Sequence, residues 1–304
     1  MAILKRAQTD SKLDREHSGV VAVIGDLVVD IKGYGNGKIE SGINAVLDST
    51  EIYAGGVAGN IAWYLAQLGQ KPLVIGSIGR DCFGSIIKRN LNKFGADCRM
   101  IKKVDGMTTG FFVIAIDRNG ERTMIGDRGA NRKVMVSVSE LVKASPSWIH
   151  LSGYTLLNDN GNEVLKNVKI AAQKLGINYS VDLEGIGERD VMLNLDGAVA
   201  ICNKGMCDER LRQNALATVI KAGNEGCYIE YQGKIKQHTP PPANPVDTTG
   251  AGDCFDAAFI AAYLRAGDFD TACRFANAAA AFKVGIRGTR VELSAELLRG
   301  FWQL

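Results

Sequence analysis

The feature that most restricts the fold of this chain is a regular alternation of short apolar strands and helices in its second half. Strands are predicted at residues 148–152, 177–182, 197–202 and 217–221, and helices at 162–175 and 208–213. Nearer the N-terminus, residues 20–24 form a further apolar run, typical of a strand buried on both faces. Repeated strand–helix units place parallel strands in one sheet with helices on its faces. The sequence therefore predicts an α/β fold.

One glycine-rich stretch near the C-terminal end suggests a chemical function. Residues 247–253 read Asp-Thr-Thr-Gly-Ala-Gly-Asp, and a run of small apolar residues from Cys254 onward predicts a buried helix. A glycine turn that opens a helix presents free N–H groups and the positive end of the helix dipole to an anion. With Asp253 beside it, such a turn suits phosphoryl transfer to a hydroxyl group. The alternative is an ordinary glycine-rich turn capped by an aspartate.

A second set of glycines lies in the N-terminal part of the chain. Residues 55–60 read Gly-Gly-Val-Ala-Gly-Asn and lead into a predicted helix at 61–69, and residues 76–84 contain the pattern G-x-x-G-x-D-x-x-G. The amide of Asn60 can both donate to and accept from a hydroxylated ligand. Asp30 follows the first predicted strand, near the edge where open α/β sheets bind ligands. Each of these positions can equally be an ordinary turn or loop residue.

Taken together, these motifs resemble the two signatures of the ribokinase-like (PfkB) carbohydrate kinases. The patterns at 55–60 and 76–84 resemble the N-terminal signature, and residues 247–253 resemble the C-terminal one, in the order that the family has them. The resemblance implies a three-layer α/β/α sandwich with a mainly parallel central sheet and a small β-sheet lid. The kinase domain would span residues 19–304, and the lid would combine residues 32–55 with a hairpin at 106–128.

The resemblance also implies roles for individual residues. Asp253 matches the catalytic base, and the backbone amides of Gly250, Ala251 and Gly252, with that of Asp253 itself, match the anion hole. The positions that match the acceptor site are Asp30, Gly55, Gly56 and Asn60. ATP would be the phosphoryl donor, bound as its Mg²⁺ complex.

The implied nucleotide site departs from the family pattern in two places. Its matching positions are Asn203, Lys221, Gly223, Gly226 and Asn277, each with an ordinary structural role as an equal alternative. Lys221 stands where the family has threonine, and Met206 stands where the family has a glutamate that organises Mg²⁺. Asp208 or Glu209 is a candidate substitute from the next turn. Asp247 and Thr249 resemble the family's monovalent-cation loop, which makes K⁺ a further candidate cofactor.

Composition excludes several other classes of protein. The net charge is only +3, and no block of Lys and Arg predicts nucleic acid or membrane binding. Residues 1–18 are polar and charged, so we expect a flexible extension and not a secretory signal. The seven cysteines contain no C-x-x-C pair and are predicted to be reduced thiols of a cytoplasmic protein. The resemblance favours a homodimer formed through the lid.

The acceptor is the least determined feature. A sugar or a sugar acid is the first hypothesis, since Arg122 and Arg128 in the lid hairpin can pair with a carboxylate or phosphate. A nucleoside or vitamin-like alcohol is the alternative, and a catalytically silent sugar-binding relative ranks last because Asp253 is present. A dinucleotide-dependent oxidoreductase would need G-x-G-x-x-G after the first strand, and residues 25–30 lack it.

Overall fold

A computed structural model describes residues 19–35, 46–117, 122–186, 193–206 and 214–304. The strands in these residues are β1 (Val20–Ile24), β2 (Val28–Gly35), β3 (Leu47–Gly55), β4 (Lys71–Gly79), β5 (Asp97–Val104), β6 (Thr109–Ile116), β7 (Arg122–Gly129), β8 (Trp148–Ser152), β9 (Tyr179–Asp182), β10 (Ala198–Asn203), β11 (Ala217–Lys221), β12 (Cys227–Tyr231) and β13 (Lys234–His238). The helices are α1 (Val57–Gln67), α2 (Cys82–Lys93), α3 (Val138–Ala144), α4 (Gly153–Leu156), α5 (Gly161–Leu175), α6 (Ala251–Ala266), α7 (Phe269–Val284) and α8 (Ala295–Trp302). The predicted extension at 1–18 and the predicted helix at 208–213 lie outside the described residues.

Nine strands form the central sheet, in the order β13-β12-β11-β10-β9-β8-β1-β4-β5. All neighbours from β11 to β5 are parallel, whereas β12 and β13 add an antiparallel edge. From β1 the chain proceeds outward to β4 and β5 on one side, and later to β8 and β9 on the other. The boundary between β1 and β8 is therefore a topological switch point, beyond whose carboxyl ends ligands bind in open α/β sheets.

The two faces of the central sheet are covered by separate helical layers. Val21 and Val23 of β1 pack into an apolar cluster with α1, α6 and α7, whereas Ala22 and Ile24 pack into a second cluster with α5. This alternation follows from the two-residue period of a strand, which directs successive side chains to opposite faces. The result is the predicted three-layer α/β/α sandwich.

A second, four-stranded sheet has the order β3-β2-β6-β7. Strand β2 pairs antiparallel with β3 and parallel with β6, and β6 pairs antiparallel with β7. The chain thus leaves the central sheet after β1 and again after β5 to build one small sheet from two separate segments. This arrangement confirms the predicted fold class. Closure of the small sheet over a substrate stays a prediction.

The cysteines differ in part from the prediction. Cys82, Cys98, Cys227, Cys254 and Cys273 are free thiols. Cys202, however, is disulfide-bonded, so the prediction of reduced cysteines is wrong for this residue. Among the described residues, no helix combines the length and the apolar composition that a transmembrane helix requires.

Candidate active site

Helix α6 begins directly after the predicted glycine turn. Gly250 has φ +77°, and a Cβ atom there would lie 2.7 Å from the main-chain oxygen of Thr289, so both the backbone conformation and the space require glycine. The N–H groups of Gly252 and Asp253 have no acceptor among the residues that the structure describes. These two donors and the helix dipole form an anion site at the start of α6.

Asp253 lies in the first turn of α6 with its carboxylate directed at α1. Its Oδ2 accepts a hydrogen bond from Asn60 Nδ2 at 2.7 Å. Removal from water raises the pKa of Asp253 to about 7, although the hydrogen bond from Asn60 opposes this rise. A carboxyl group whose pKa lies near neutrality can both take up and release a proton at physiological pH, as a general base must.

Asp30 approaches the same region from strand β2 of the small sheet. Its Oδ2 lies only 2.1 Å from the position of a Cβ atom on Gly55, so a larger residue there would displace the carboxylate. Burial raises the pKa of Asp30 to about 6, and the charge of Arg290 opposes the rise. The adjacent Gly56 has φ +88° and leaves no room for a Cβ beside the main-chain oxygen of Asp26. Both glycines therefore shape the junction between the small sheet and α1.

Arg290 is a site residue that sequence reasoning missed. Its Nε donates to Asn60 Oδ1 at 2.8 Å, and its Nη1 donates to Asn90 Oδ1. Burial lowers the pKa of Arg290 to about 10, while the charges of Asp253 and Asp30 oppose this effect, so the guanidinium stays charged. It belongs to the loop between α7 and α8, where no motif marked it.

A buried ion network lies beneath the glycine turn. Lys221 Nζ donates to Asp182 Oδ2 at 2.9 Å and to Asp256 Oδ1 at 3.4 Å. Burial alone would lower the pKa of Lys221, but these two carboxylates raise it, and the ammonium is therefore retained. Its Nζ also lies 3.4 Å from the position of a Cβ on Gly252. The network thus places one positive charge next to the anion site.

Glu184, just beyond β9, is the second residue that the sequence did not reveal. Its Oε2 lies 3.7 Å from the Cβ position on Gly252, on the same side as Lys221. Burial raises the pKa of Glu184, and the charge of Lys221 opposes this. Met206, by contrast, is 46% exposed, and the candidate substitutes Asp208 and Glu209 lie outside the described residues.

A cavity of about 540 Å³ opens beside the start of α6. All five predicted nucleotide positions line it: Asn203, Lys221, Gly223, Gly226 and Asn277. Thr248, Ala251 and Gly252 form one end, while prolines and small apolar residues from 240–245 and α7 line much of the rest. A volume of this size is in the range of small-molecule sites. The structure therefore brings the nucleotide candidates and the anion site to one cavity.

In the loop with Asp247 and Thr249, the oxygens of Asp247 accept hydrogen bonds from other groups of the protein. Asp247 Oδ1 accepts from the Thr249 N–H at 3.0 Å, and its Oδ2 accepts from the Gly288 N–H at 3.0 Å. The main-chain oxygen of Asp247 accepts from Lys283 Nζ at 2.6 Å. Arg122 of the small sheet donates to Thr249 Oγ1 at 3.2 Å.

Arg128, a candidate for binding an acidic substrate group, is committed to the protein instead. Its Nε and Nη2 donate to the two carboxylate oxygens of Asp26 at 2.8 and 2.9 Å. It also donates to the main-chain oxygen of Tyr154 and to Asn158 Oδ1. These hydrogen bonds connect the end of β7 to residues that follow β1 and β8 of the central sheet. Because the guanidinium of Arg128 is engaged in them, they argue against the predicted contact between Arg128 and an acidic group of the substrate.

An anion site at a helix N-terminus, a buried carboxyl group with a raised pKa and an adjoining cavity fit a phosphotransferase that uses an alcohol as acceptor. The model of the pfkB family carbohydrate kinases matches residues 19–296, and the chain belongs to this family. This confirms the resemblance seen in the sequence. It also confirms the prediction of an enzyme.

The relatives include kinases of different acceptors. A nucleoside kinase of Methanothermobacter thermautotrophicus is 31% identical over 252 residues, which cover 79% of this chain and 81% of that protein. An ATP-dependent ribose-1-phosphate kinase of Halopiger xanaduensis is 27% identical over 259 residues, which cover 81% and 86%. The structure of Arabidopsis thaliana ribokinase complexed with ribose and ATP superimposes with a TM-score of 0.77 at 23% identity, covering 94% of this chain and 99% of that one. The chain is therefore a kinase of this family, and its relatives differ in the acceptor that they are named for.

Proposed function

We propose that the protein transfers the γ-phosphoryl group of ATP to a hydroxyl of a neutral sugar or nucleoside, with Asp253 as the general base. The observation that carries the proposal is the hydrogen bond between Asn60 and Asp253, which joins the two signature motifs at the anion site. Ribose and ATP in the related ribokinase and the nucleoside kinase among the relatives support this choice of substrates.

The charges on the acceptor side favour a neutral substrate. Asp30 and Asp253 supply two carboxylates there, and the nearby cations Arg290 and Arg128 are held by protein groups. A carboxylate or phosphate on the substrate would lie near these two carboxyl groups, between which the charge of Arg290 is already shared. Sugar hydroxyls, which donate and accept, can satisfy Asp30 and Asn60 together.

The donor site fits ATP bound with Mg²⁺. In ATP-dependent enzymes Mg²⁺ is commonly held by one or two carboxylates together with phosphate oxygens and water, and when bound it neutralises charge on the phosphates. Among the described residues no group of three or more metal-binding side chains occurs, and Glu184 is the carboxylate closest to Gly252 that is free of hydrogen bonds. Glu184 would therefore hold the metal in place of the glutamate that Met206 replaces.

In the proposed step, the acceptor hydroxyl oxygen forms a bond to the γ-phosphorus while the bond from that phosphorus to the bridging oxygen of ADP breaks. ADP leaves with the electron pair of the broken bond, and the hydroxyl proton passes to Asp253. The N–H groups of Gly252 and Asp253 stabilise charge on the phosphoryl oxygens, and the Lys221 ammonium reinforces them.

The predicted homodimer and the cytoplasmic location remain part of the proposal. Ile52, Met124 and Ile125 of the small sheet are large apolar side chains that are more than half exposed. Exposed apolar groups of this kind are typical of contact surfaces between proteins. Dependence on ATP fits a cytoplasmic enzyme.

The test is an ADP-release assay with Mg-ATP over pentoses, hexoses, nucleosides, sugar acids and sugar phosphates. Asp253→Asn serves as the matched control, because it keeps the shape of the side chain without the base. We expect turnover with a neutral acceptor and almost none in the control. A sugar acid or sugar phosphate as best substrate would contradict the neutral acceptor, and the absence of turnover with every acceptor would favour a silent binding protein.

A further inference from the structure

A lysine ammonium lies in the loop where the family resemblance implies a monovalent cation. Lys283 is the penultimate residue of α7, and its side chain has no exposed surface. Its Nζ donates to the main-chain oxygen of Asp247 at 2.6 Å. Burial of an ammonium group is unfavourable unless polar groups bind it. The surrounding loop must therefore provide hydrogen-bond acceptors for Lys283.

Every oxygen of Asp247 already accepts a hydrogen bond from the protein. Besides the main-chain oxygen held by Lys283, its Oδ1 and Oδ2 accept from the N–H groups of Thr249 and Gly288. Although burial opposes the change, these hydrogen bonds lower the pKa of Asp247 to about 2, and its carboxylate is therefore ionised. K⁺ in proteins replaces its water shell with oxygen ligands. Because these oxygens are engaged and an ammonium stands beside them, the loop does not fit K⁺.

The same contact links the cation position to the anion site. The N–H groups of Val246 and Asp247 both donate to the main-chain oxygen of Val284, at 2.7 and 3.1 Å. Lys283, at the end of α7, in turn donates to the loop. Three hydrogen bonds therefore connect the end of α7 with the loop. The loop continues directly into Gly250, where α6 and its free N–H groups begin.

Peptide geometry explains how a cation here can orient the loop. In a trans peptide the C=O group and the following N–H group point in opposite directions. Because the Asp247 C=O faces Lys283, the Thr248 N–H faces away from α7, and Thr248 lines the cavity. A positive charge at this position therefore favours the loop conformation that leads into the anion site.

We propose that the Lys283 ammonium replaces the monovalent cation and acts as a positioning residue for the loop before Gly250, so that activity does not depend on K⁺. This inference rests on the proposed kinase function.

The first test measures the initial rate of the wild-type enzyme with the Tris salt of ATP. KCl, NaCl and tetramethylammonium chloride are compared at constant ionic strength, the last being too bulky for a loop site. We expect equal rates in all three salts. A saturable stimulation by K⁺ over tetramethylammonium would overturn the proposal.

The second test uses two substitutions of Lys283. Lys283→Met keeps most of the volume but removes the charge, and Lys283→Ala opens space beside the Asp247 oxygen. We expect both to lower kcat/KM by about 10- to 100-fold, as loss of a supporting contact to a metal or catalytic site commonly does. K⁺ or NH₄⁺ should stimulate Lys283→Ala and leave Lys283→Met unchanged. Full activity of Lys283→Met, or no stimulation of Lys283→Ala, would contradict the inference.

Lys93→Met is the matched control, because Lys93 also lies in the last turn of a helix, α2, but is exposed. We expect it to keep the wild-type rate in every salt.

Thermal unfolding supplies a readout that needs neither ATP nor acceptor. A cation that binds only the folded state raises its stability by mass action. K⁺ should therefore raise the Tm of Lys283→Ala above its value in tetramethylammonium, and should leave the wild-type Tm unchanged. If no acceptor is phosphorylated, the kinase proposal fails while this comparison still decides the role of Lys283. A wild-type Tm that rises specifically with K⁺ would overturn the inference.

Discussion

Asn60 on α1 donates a hydrogen bond to Asp253 on α6 at 2.7 Å, across a separation of 193 positions in the chain. The acceptor oxygen of the same amide is occupied by Arg290 Nε. These two contacts determine the orientation of the amide, so that its N–H group faces the carboxylate. Asn60, from the first signature motif, therefore positions Asp253, the proposed base, which belongs to the second motif.

Replacement of Asp253 by asparagine tests the assignment of the base. We expect kcat to fall by about two to four orders of magnitude, the usual contribution of a general base. The amide can still accept from Asn60, so the fold should be retained. ADP release and circular dichroism measure the two effects. An Asp253→Asn protein with undiminished kcat would show that another group takes the proton.

The pH dependence of kcat/KM should report the raised pKa of Asp253. The base acts only when ionised, so activity should decline as the pH falls through about 7. The low residual rate of Asp253→Asn should lack this limb. A wild-type limb near the ordinary aspartate value of about 4 would contradict the environment described for this carboxyl group.

The raised pKa of Asp253 should also affect stability. Activity should rise with pH, whereas the contribution of Asp253 to stability should fall with pH. Asp253 binds its proton more tightly in the folded state than in the unfolded state, where its pKa is about 4. The contribution of this group to the free energy of unfolding should therefore fall as the pH rises from about 4 to about 7. Relative to wild type, Asp253→Asn should gain stability over this interval, which urea unfolding at several pH values measures. A difference that is constant with pH would contradict the shift.

Arg290→Gln should shift the acid limb of the pH–rate profile to higher pH. The charge of Arg290 interacts with those of Asp30 and Asp253 and favours their ionised forms. Loss of its charge should raise the pKa of Asp253, because a nearby positive charge favours the carboxylate. Arg290→Lys, which keeps the charge, should shift the limb less.

Arg265→Gln is the control for a purely structural effect of an arginine. Arg265 lies at the other end of α6 and donates to the main-chain oxygen of Trp302, so it also fastens the C-terminal segment. It should lower the Tm without moving the pH profile. Equal profiles for wild type and Arg290→Gln would leave Arg290 with only such a structural role.

The motifs were sufficient to predict the family and the fold class, and several of the motif residues lie close together in the structure. Glycine positions at 55–56 and 250 carry a signal because each backbone conformation or close approach excludes a side chain. Asp253 and Asn60 could be recognised because each follows these glycines at the spacing of the motif in the sequence. Local spacing of this kind survives in a linear sequence and can therefore be recognised.

Arg290, Glu184 and Lys283 could not be predicted in the same way, because their roles come from contacts between distant segments. Lys283 has the sequence context of a polar residue at a helix end, and only the packing of α7 against the 244–249 loop buries it. Lys221 shows the intermediate case. Its place in the cavity was predicted from the motif, but its two carboxylate partners belong to β9 and α6.

Lys221→Thr, which introduces the residue found in the family pattern, tests whether that network supports the fold. The substitution leaves Asp182 and Asp256 together in a buried site without their cation. Breaking a buried ion pair in this way commonly costs about 3–5 kcal/mol, because an uncompensated charge stays out of water. We expect a lower free energy of unfolding in urea and a higher KM for ATP, since Lys221 also lies beside Gly252.

Lys204→Thr provides the comparison that separates burial from simple loss of an ion pair. Lys204 pairs with Glu225 at 2.6 Å, but both side chains are largely exposed. Water and salt screen such a pair, so its removal should change the unfolding curve very little. If Lys221→Thr and Lys204→Thr proved equally mild, Asp256 would have to be neutral without Lys221. The buried network would then be maintained by protonation of that carboxyl group, whose pKa burial already raises well above its ordinary value.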